Sequence, residues 1–442
     1  MAMCLPVDGR KTGYFSLDWL CFQGGDQDRD KTLRKFFLRF TCDILAKIQH
    51  VNLRILKMDI NNPLIILIFS MVALTTVSIT HKLSPISLDD SGRNITIDGL
   101  RGFLALFVFI HHSNIWYAFL HNNVWKLPDN AVFANIGKTS VAMFFMITGY
   151  LFYGKIRKSK EINWNQLYIS RFFRLYPLYF LIICVMLVIA GIQTNWTPVT
   201  YFSNLMVPVY KWFSLSAYGS PNINGLRDTL SIVSGVTWTL VYEVFFYLSL
   251  PLVCVITGKK TPVIYILISL SAMIAFYLHP LNKIYIIFFV IGFIASYLKD
   301  IKLLMSFADT KACSILISII YIILISNFHG IYEWQSMLLC GVIFILICSG
   351  CDIFGILKIK SARLLGEATY SIYLLHGPLI YITFRMMLDN SIKNFSIVEY
   401  TMICTLICVV LVSLSYLTFK YIESPMINFG KSVRFQKTIV EK

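Results

Sequence analysis

The chain has 442 residues, 57% of them hydrophobic and only 14% charged, with a formal net charge of +16 and a mean hydropathy of +0.68. Soluble domains carry about 25% charged residues, so a soluble globular protein is excluded. A bias towards Ile, Leu, Phe and Tyr without short-period repetition excludes a disordered, collagen-like or coiled-coil chain. In a membrane protein an excess of Lys and Arg belongs first to loops on one side. The 15% aromatic content fits interfacial belts better than a nucleic-acid surface, and no nucleic-acid partner is expected.

Apolar stretches fall near 63–80, 100–120, 139–154, 176–193, 238–256, 261–278, 284–298, 312–328, 335–350, 368–388 and 399–419. They predict an all-α polytopic transmembrane bundle of ten core spans, with one extra span in front of them. The connections are short except for 194–236, which is rich in Asn, Ser, Pro and Tyr. The chain divides into a basic segment 1–62, an extra helix and linker 63–92, a membrane domain 93–430 and a basic tail 431–442. Most of the eleven Cys residues, among them Cys184, Cys254, Cys340, Cys348, Cys404 and Cys408, sit inside apolar stretches. They read as small apolar residues; no disulfide framework and no metal site is expected.

Counting positive residues orients the bundle. With Asp98–Arg101 placed in the cytoplasm, the loops 81–99, 155–175, 257–260, 299–311, 351–367 and 420–442 hold 21 Lys and Arg. The opposite loops hold 7. This asymmetry puts the start of the core and the C-terminus in the cytoplasm and the long loop 194–236 outside.

The first 62 residues fit this scheme poorly. Their ten Lys and Arg argue for the cytoplasm, yet a span at 63–80 would place them outside. Apolar residues at 33, 37, 40, 44, 48, 51 and 55 form a stripe at helical spacing, as in an interfacial basic helix. Three readings compete: 63–80 does not span, the charge rule is broken locally, or the natural start is Met58. The flanks Asp59, His81 and Lys82 suit the last best. No small-residue cleavage site follows the first span, so a cleaved signal peptide is not expected.

Ionisable residues inside apolar spans are costly and usually functional. Asp98-Gly-Leu-Arg101-Gly is followed by His111-His112. Arg101 and His112, eleven apart, share one helix face and lie roughly 16 Å apart along it. Arg171-Phe-Phe-Arg174 places two guanidinium groups at i, i+3, a spacing that can clamp a phosphate; anchoring to lipid headgroups is the plainer alternative. Glu243 follows Trp238 by five residues; with Ser234 at the outer boundary it lies about 13 Å inside, and His376 lies about 12 Å from the inner one. His112, Glu243 and His376 are thus expected in one depth band, where buried His and Glu can activate a hydroxyl or relay protons. Each could instead be a packed polar residue holding helices together. There is no P-loop, dinucleotide fingerprint or GxSxG elbow. Asn94-Ile-Thr and Asn195-Trp-Thr match the glycosylation triplet.

Taken in order, five motifs resemble the membrane acyltransferase-3 family. They are Asp98-Gly-Leu-Arg101-Gly with His112, Arg171-x-x-Arg174, Trp238-Thr-Leu-x-x-Glu243-x-x-Phe-Tyr247, Tyr370-Ser-Ile-Tyr373-Leu-Leu-His376-x-Pro378, and Tyr421-Ile-Glu423-x-Pro425. The resemblance covers about 95–430. It implies an enzyme of the bacterial inner membrane that moves an acyl group, most often acetyl, from cytoplasmic coenzyme A to a sugar hydroxyl of lipopolysaccharide O-antigen, capsule, peptidoglycan or a secreted oligosaccharide. By this resemblance Arg101, Arg171 and Arg174 would hold the acetyl-CoA phosphates. His112 would be the general base or acyl carrier, and Glu243 and His376 would orient or polarise. Loop 194–236 would help hold the glycan. The partners implied are acyl-CoA, a surface glycan or lipid-linked oligosaccharide, and membrane lipids. A proton-coupled transporter using the same His/Glu set, and a non-enzymatic scaffold of glycan assembly, are the alternatives.

Overall fold

The computed structural model describes residues 60–88, 92–198, 201–328, 330–388 and 395–433. Apart from 60–62 and 431–433, the basic segment 1–62, with its apolar stripe, and the tail 431–442 lie outside these residues. Among the described residues the structure is α-helical, with a single isolated bridge between Ile223 and Leu226 and no strand.

The helices, in chain order, are α1 Leu64–Leu83, α2 Ile95–Asn122, α3 Ala131–Lys158, α4 Trp164–Gln193, α5 Phe202–Phe213, α6 Thr229–Ile232, α7 Trp238–Ile256, α8 Val263–Leu278, α9 Ile286–Leu298, α10 Lys302–Ala308, α11 Lys311–Asn327, α12 Trp334–Cys348, α13 Lys360–Glu367, α14 Thr369–Tyr381, α15 Ile397–Thr418 and α16 Ser424–Ser432. Polar caps set several starts. The side chains of Asn94, Asn130, Asn163 and Thr310 accept hydrogen bonds from first-turn N–H groups of α2, α3, α4 and α11. Ser396 and Glu399 form a reciprocal capping box on α15.

Each predicted span falls on a helix, but the helices are unequal. α1, α2, α3, α4, α7 and the continuous run Ile397–Ser432 are long and apolar enough to cross a membrane. α8, α11 and α12 are shorter, and Lys283–Leu298 is bent by 99° against α10. The long connection 194–236 is not a plain loop: it contains α5 and α6 and is tied down. Tyr179 donates to the Trp212 carbonyl, Trp212 Nε1 donates to the Pro221 carbonyl at 2.9 Å, and Ser216 Oγ donates to Thr237 Oγ1 at 3.1 Å.

Contacts between chain-distant ends show that successive helices run in alternating directions. At one end Arg157 meets Asp300 at 2.6 Å, Lys259 meets the Ser159 carbonyl, Gln166 meets the Gly430 carbonyl at 2.8 Å and Lys420 meets Ser84 at 2.8 Å. These are the Lys- and Arg-rich connections, so they form one basic end. At the other end Asn135 bonds the Phe328 carbonyl at 2.6 Å and Trp116 bonds Ser234 at 3.3 Å. Helix α1 runs the full thickness of the bundle. Its start is met by Asn114, which donates to the Ile60 carbonyl at 3.3 Å, and Ser84, just past its end, by Lys420 and Tyr416.

Two close backbone contacts fix the core. A Cβ at Gly99 would lie 1.9 Å from the Leu357 carbonyl oxygen, and one at Gly366 would lie 1.9 Å from the Asp98 oxygen. Only glycine lets α2 approach the turn at Leu357 and α13 so closely, as small residues do in membrane interfaces. Gly149 and Gly292 bring α3 and α9 together in the same way, against the carbonyls of Phe289 and Met146.

Candidate functional site

A cavity of about 890 Å³ opens among α2, α3, α4, α7 and α14, toward the basic end. Ten Lys and Arg line it against four Asp and Glu among the described residues. Arg101, Arg171, Arg174 and Glu243 all stand on its wall, so the structure gathers four of the six residues expected from sequence. Arg171 lies over the Phe152 ring at 5.2 Å, and its Nε is buried without a hydrogen-bond partner. Unmet donors of this kind suit an anionic ligand. Glu243 accepts from Tyr247, one turn along α7.

The mouth of the cavity is laced by ion pairs. Arg93 bridges Asp98 at 2.8 Å and Glu367 at 2.5 Å, and Arg101 lies 3.8 Å from Asp98. These two carboxylates raise the Arg93 pKa against the opposing effect of its burial. Asn94, the cap of α2, donates to the Tyr150 hydroxyl at 3.1 Å and to the Cys348 carbonyl at 3.3 Å. That use of its amide, not a glycan, accounts for the Asn94-Ile-Thr triplet.

Sequence reasoning assigned no role to several wall residues. Glu423 is 3% exposed and accepts a hydrogen bond from Ser371. It sits in a wide π-type turn, Phe419–Glu423, which joins α15 to α16 and also sets Lys420 on the cavity wall; such turns recur at functional sites. Tyr373 and Thr239 bond one another at 2.9 Å on the cavity wall between α14 and α7. Their clue was in the sequence: both belong to motifs that otherwise hold Glu243 and His376.

The remaining two expected residues, His112 and His376, are not on the cavity wall. The Tyr373 ring stands 6.3 Å from the His376 ring, one turn further along α14. His376 Nε2 lies 3.2 Å from His112 Nδ1. Glu243 does not join them: it lies four residues past Thr239 towards the basic end, while His376 lies three past Tyr373 in the opposite direction. The axial separation is about 10 Å. The expected single depth band is therefore two levels, Glu243 among the arginines and the histidines above them.

The hydrogen bonds fix the proton positions in the histidine pair. A carbonyl only accepts, and His376 Nδ1 lies 3.1 Å from the Ile372 carbonyl. His376 Nδ1 thus carries its proton, and in the neutral ring Nε2 offers a lone pair. His112 Nδ1, facing that lone pair and the Val108 carbonyl at 3.0 Å, must be the donor to both. His112 Nε2 is left with a free lone pair. His376 is fully buried whereas His112 keeps accessible surface. The neighbouring His111 is structural: its Nδ1 donates to the Phe133 carbonyl at 2.7 Å and its ring packs on Gly137, where a Cβ would lie 2.3 Å from Cγ.

One turn beyond His112, Trp116 is fully buried in an aromatic cluster. Its ring lies 5.5 Å from Trp125, 6.0 Å from Tyr381 and 6.4 Å from Phe384. Among the described residues no group of three His, Cys, Asp or Glu converges as a metal site. A Cys-x-x-Cys spacing, Cys348-Ser-Gly-Cys351, ends α12; both thiols are buried and free, and Cys351 Sγ lies 3.6 Å from Ser314 Oγ.

Residues 94–419, about three quarters of the chain, match the model of the acyltransferase-3 family, described as an acyltransferase domain. Nodulation protein 10 of Rhizobium leguminosarum bv. viciae is 30% identical over 187 residues, which cover 38% of this chain and 47% of that protein. The chain thus aligns with about half the length of this relative. No solved structure matches. The matched stretch carries Arg101, Arg171, Arg174, Glu243 and both paired histidines, and on its extent the chain belongs to the acyltransferase-3 family of membrane acyltransferases.

Proposed function

We propose that this membrane acyltransferase is an O-acetyltransferase of the bacterial inner membrane, moving an acetyl group from cytoplasmic acetyl-CoA to a hydroxyl of a cell-surface glycan such as lipopolysaccharide O-antigen or capsule. The observation that carries the reading is a strongly cationic cavity whose wall includes Tyr373, one turn before a histidine pair with a fixed tautomer and a free ring nitrogen. The Lys and Arg count of the loops supports a cytoplasmic location for the basic end, and with it for the start of the core and the C-terminal helix α16.

The residues fit a phosphorylated donor. Arg171 and Arg174 would hold its diphosphate, with Arg101 beside them, and the donor would supply the acyl group as a thioester. His112 Nε2 accepts the proton of the acceptor hydroxyl as that oxygen bonds the acyl carbon. His112 returns this proton to the sulfur released when the carbon–sulfur bond breaks. His376 Nε2 holds His112 Nδ1–H throughout, fixing the tautomer and stabilising the imidazolium, as the carboxylate does in a Ser-His-Asp triad. Glu243 and Tyr247 position Arg171 rather than move protons.

The test is proton NMR of purified surface glycans from wild-type, deletion and His112→Ala cells. Acetyl signals lost in both mutants, and removed from wild-type glycan by mild base, are expected. Unchanged acetyl content with altered glycan amount or length would instead support transport or scaffolding.

A further inference from the structure

We propose that the mouth of the cavity holds a second phosphate subsite, built by Arg157 and Lys299, that reads the 3′-phosphate on the ribose of the acyl donor. The inference rests on the acyl-CoA reading above and deepens it. It assigns the enzyme a preference for 3′-phosphorylated coenzyme A over the 3′-dephospho form.

The cavity follows one face of α3 from Val141 to Lys158, about 26 Å of helix. Its character changes along that length. Near Val141 the wall is apolar. At Phe152 it meets the Arg171 guanidinium, 5.2 Å from the ring. Five residues further, about 7.5 Å nearer the mouth, stands Arg157. Lys155 lies near Arg171 and Lys158 beside Arg157, so the cations of this helix fall at an inner and an outer level, with an apolar wall above both.

The outer level is built rather than incidental. Arg157 Nη2 bonds Asp300 Oδ2 at 2.6 Å, and Lys299 bonds the other oxygen of the same carboxylate. The Arg157 guanidinium also lies over the Tyr297 ring at 5.1 Å. Asp300 is not part of the cavity wall, whereas Arg157 and Lys299 are. One carboxylate behind the wall thus fixes two cations at it and leaves an excess positive charge facing in. Their side chains are 28% and 22% exposed, so a phosphate met here is partly desolvated and its charge-assisted bonds are stronger than at an open surface.

A coenzyme A thioester presents a thin pantetheine arm, then a diphosphate, then a ribose bearing a phosphomonoester. Apolar wall, inner arginines and outer pair succeed one another in that same order from the histidine end outward. A donor with a diphosphate alone would leave the outer pair unused.

The experiment is equilibrium binding of coenzyme A and 3′-dephospho-coenzyme A to the purified full-length protein in lipid nanodiscs. Wild type is expected to bind coenzyme A about tenfold more tightly. Arg157→Ala and Lys299→Ala should each lose most of that preference while binding the dephospho form as wild type does; Arg157→Lys should keep part of it. Arg171→Ala should weaken both ligands equally. Equal affinities in wild type, a preference that survives in both alanine variants, or a loss in those variants that falls equally on both ligands overturns the subsite. Failure of wild type to bind either ligand is a different result and rejects the acyl-CoA reading itself.

Discussion

At the mouth of the cavity, many charged side chains share a wide polar space, and several are held only by one another. Around His112 and His376 there are two rings, two backbone carbonyls and close aromatic packing. The first arrangement tolerates an imperfect fit, because long-range attraction to a multiply charged ligand needs no single geometry. The second has one proton arrangement, and its chemistry depends on holding it. Errors should therefore cost little per residue at the mouth and a great deal at the histidines.

The largest expected effect is at His112. His112→Ala should lower acyl transfer by about 10³-fold, within the range for a lost general base, with expression and donor binding intact. A smaller loss would show that the two regions are less distinct than their geometry. His376→Ala should cost about 10²-fold, and His376→Gln less, because the glutamine carbonyl can still accept from His112 Nδ1; equal losses in both variants would remove the positioning role. Among the cavity cations, Arg171→Ala should weaken donor binding about tenfold, and wild-type affinity should fall as salt is raised, read by titration at two ionic strengths. The smallest effect lies outside the site. Asp352 is held below its ordinary pKa by Lys358, 2.9 Å away, and by the Gly355 N–H. A depressed carboxylate stabilises the fold above its unfolded pKa and loses that contribution as pH falls through the folded value. Asp352→Asn should therefore lower the unfolding midpoint slightly at pH 7, by a few tenths of a kcal/mol for so exposed a pair. The difference from wild type should shrink as pH falls below the ordinary carboxylate range.

The spans were legible because long apolar runs have no other use in such a chain, and each is a helix in the structure. Charge counting also anticipated which connections share an end. The long connection 194–236 was not legible as structure: α5 carries Pro208 inside it, and its anchoring through Tyr179 and Trp212 depends on residues far apart in sequence. Within the site, helical spacing put Arg101 and His112 on one face but could not show that His112 meets His376, 264 residues away. Nor could it place Glu243. The depth estimate took Ser234 as the outer boundary, but Val233 and Ser234 pack on Gly377 at the level of His376, so Glu243, further along α7, lies with the arginines. Glu423 was visible only as part of a terminal motif, since its burial depends on the wide turn at Phe419–Glu423. The glycines of Asp98-Gly-Leu-Arg101-Gly are explained by the turn at Leu357, which meets Gly99, and by α13, which meets Gly102, elements too short and polar to stand out among the spans.

The aromatic cluster around Trp116 has an electrical consequence. A water-filled vestibule conducts ions freely, so in an energised membrane little voltage falls across the basic cavity. Most of it falls across the dry packing of Trp116, Trp125, Tyr381 and Phe384. A charge carried across the whole membrane potential gains about 2.3 kcal/mol per 100 mV, but a proton passed between the cavity and His112 crosses little of that field. Turnover should be nearly indifferent to the membrane potential.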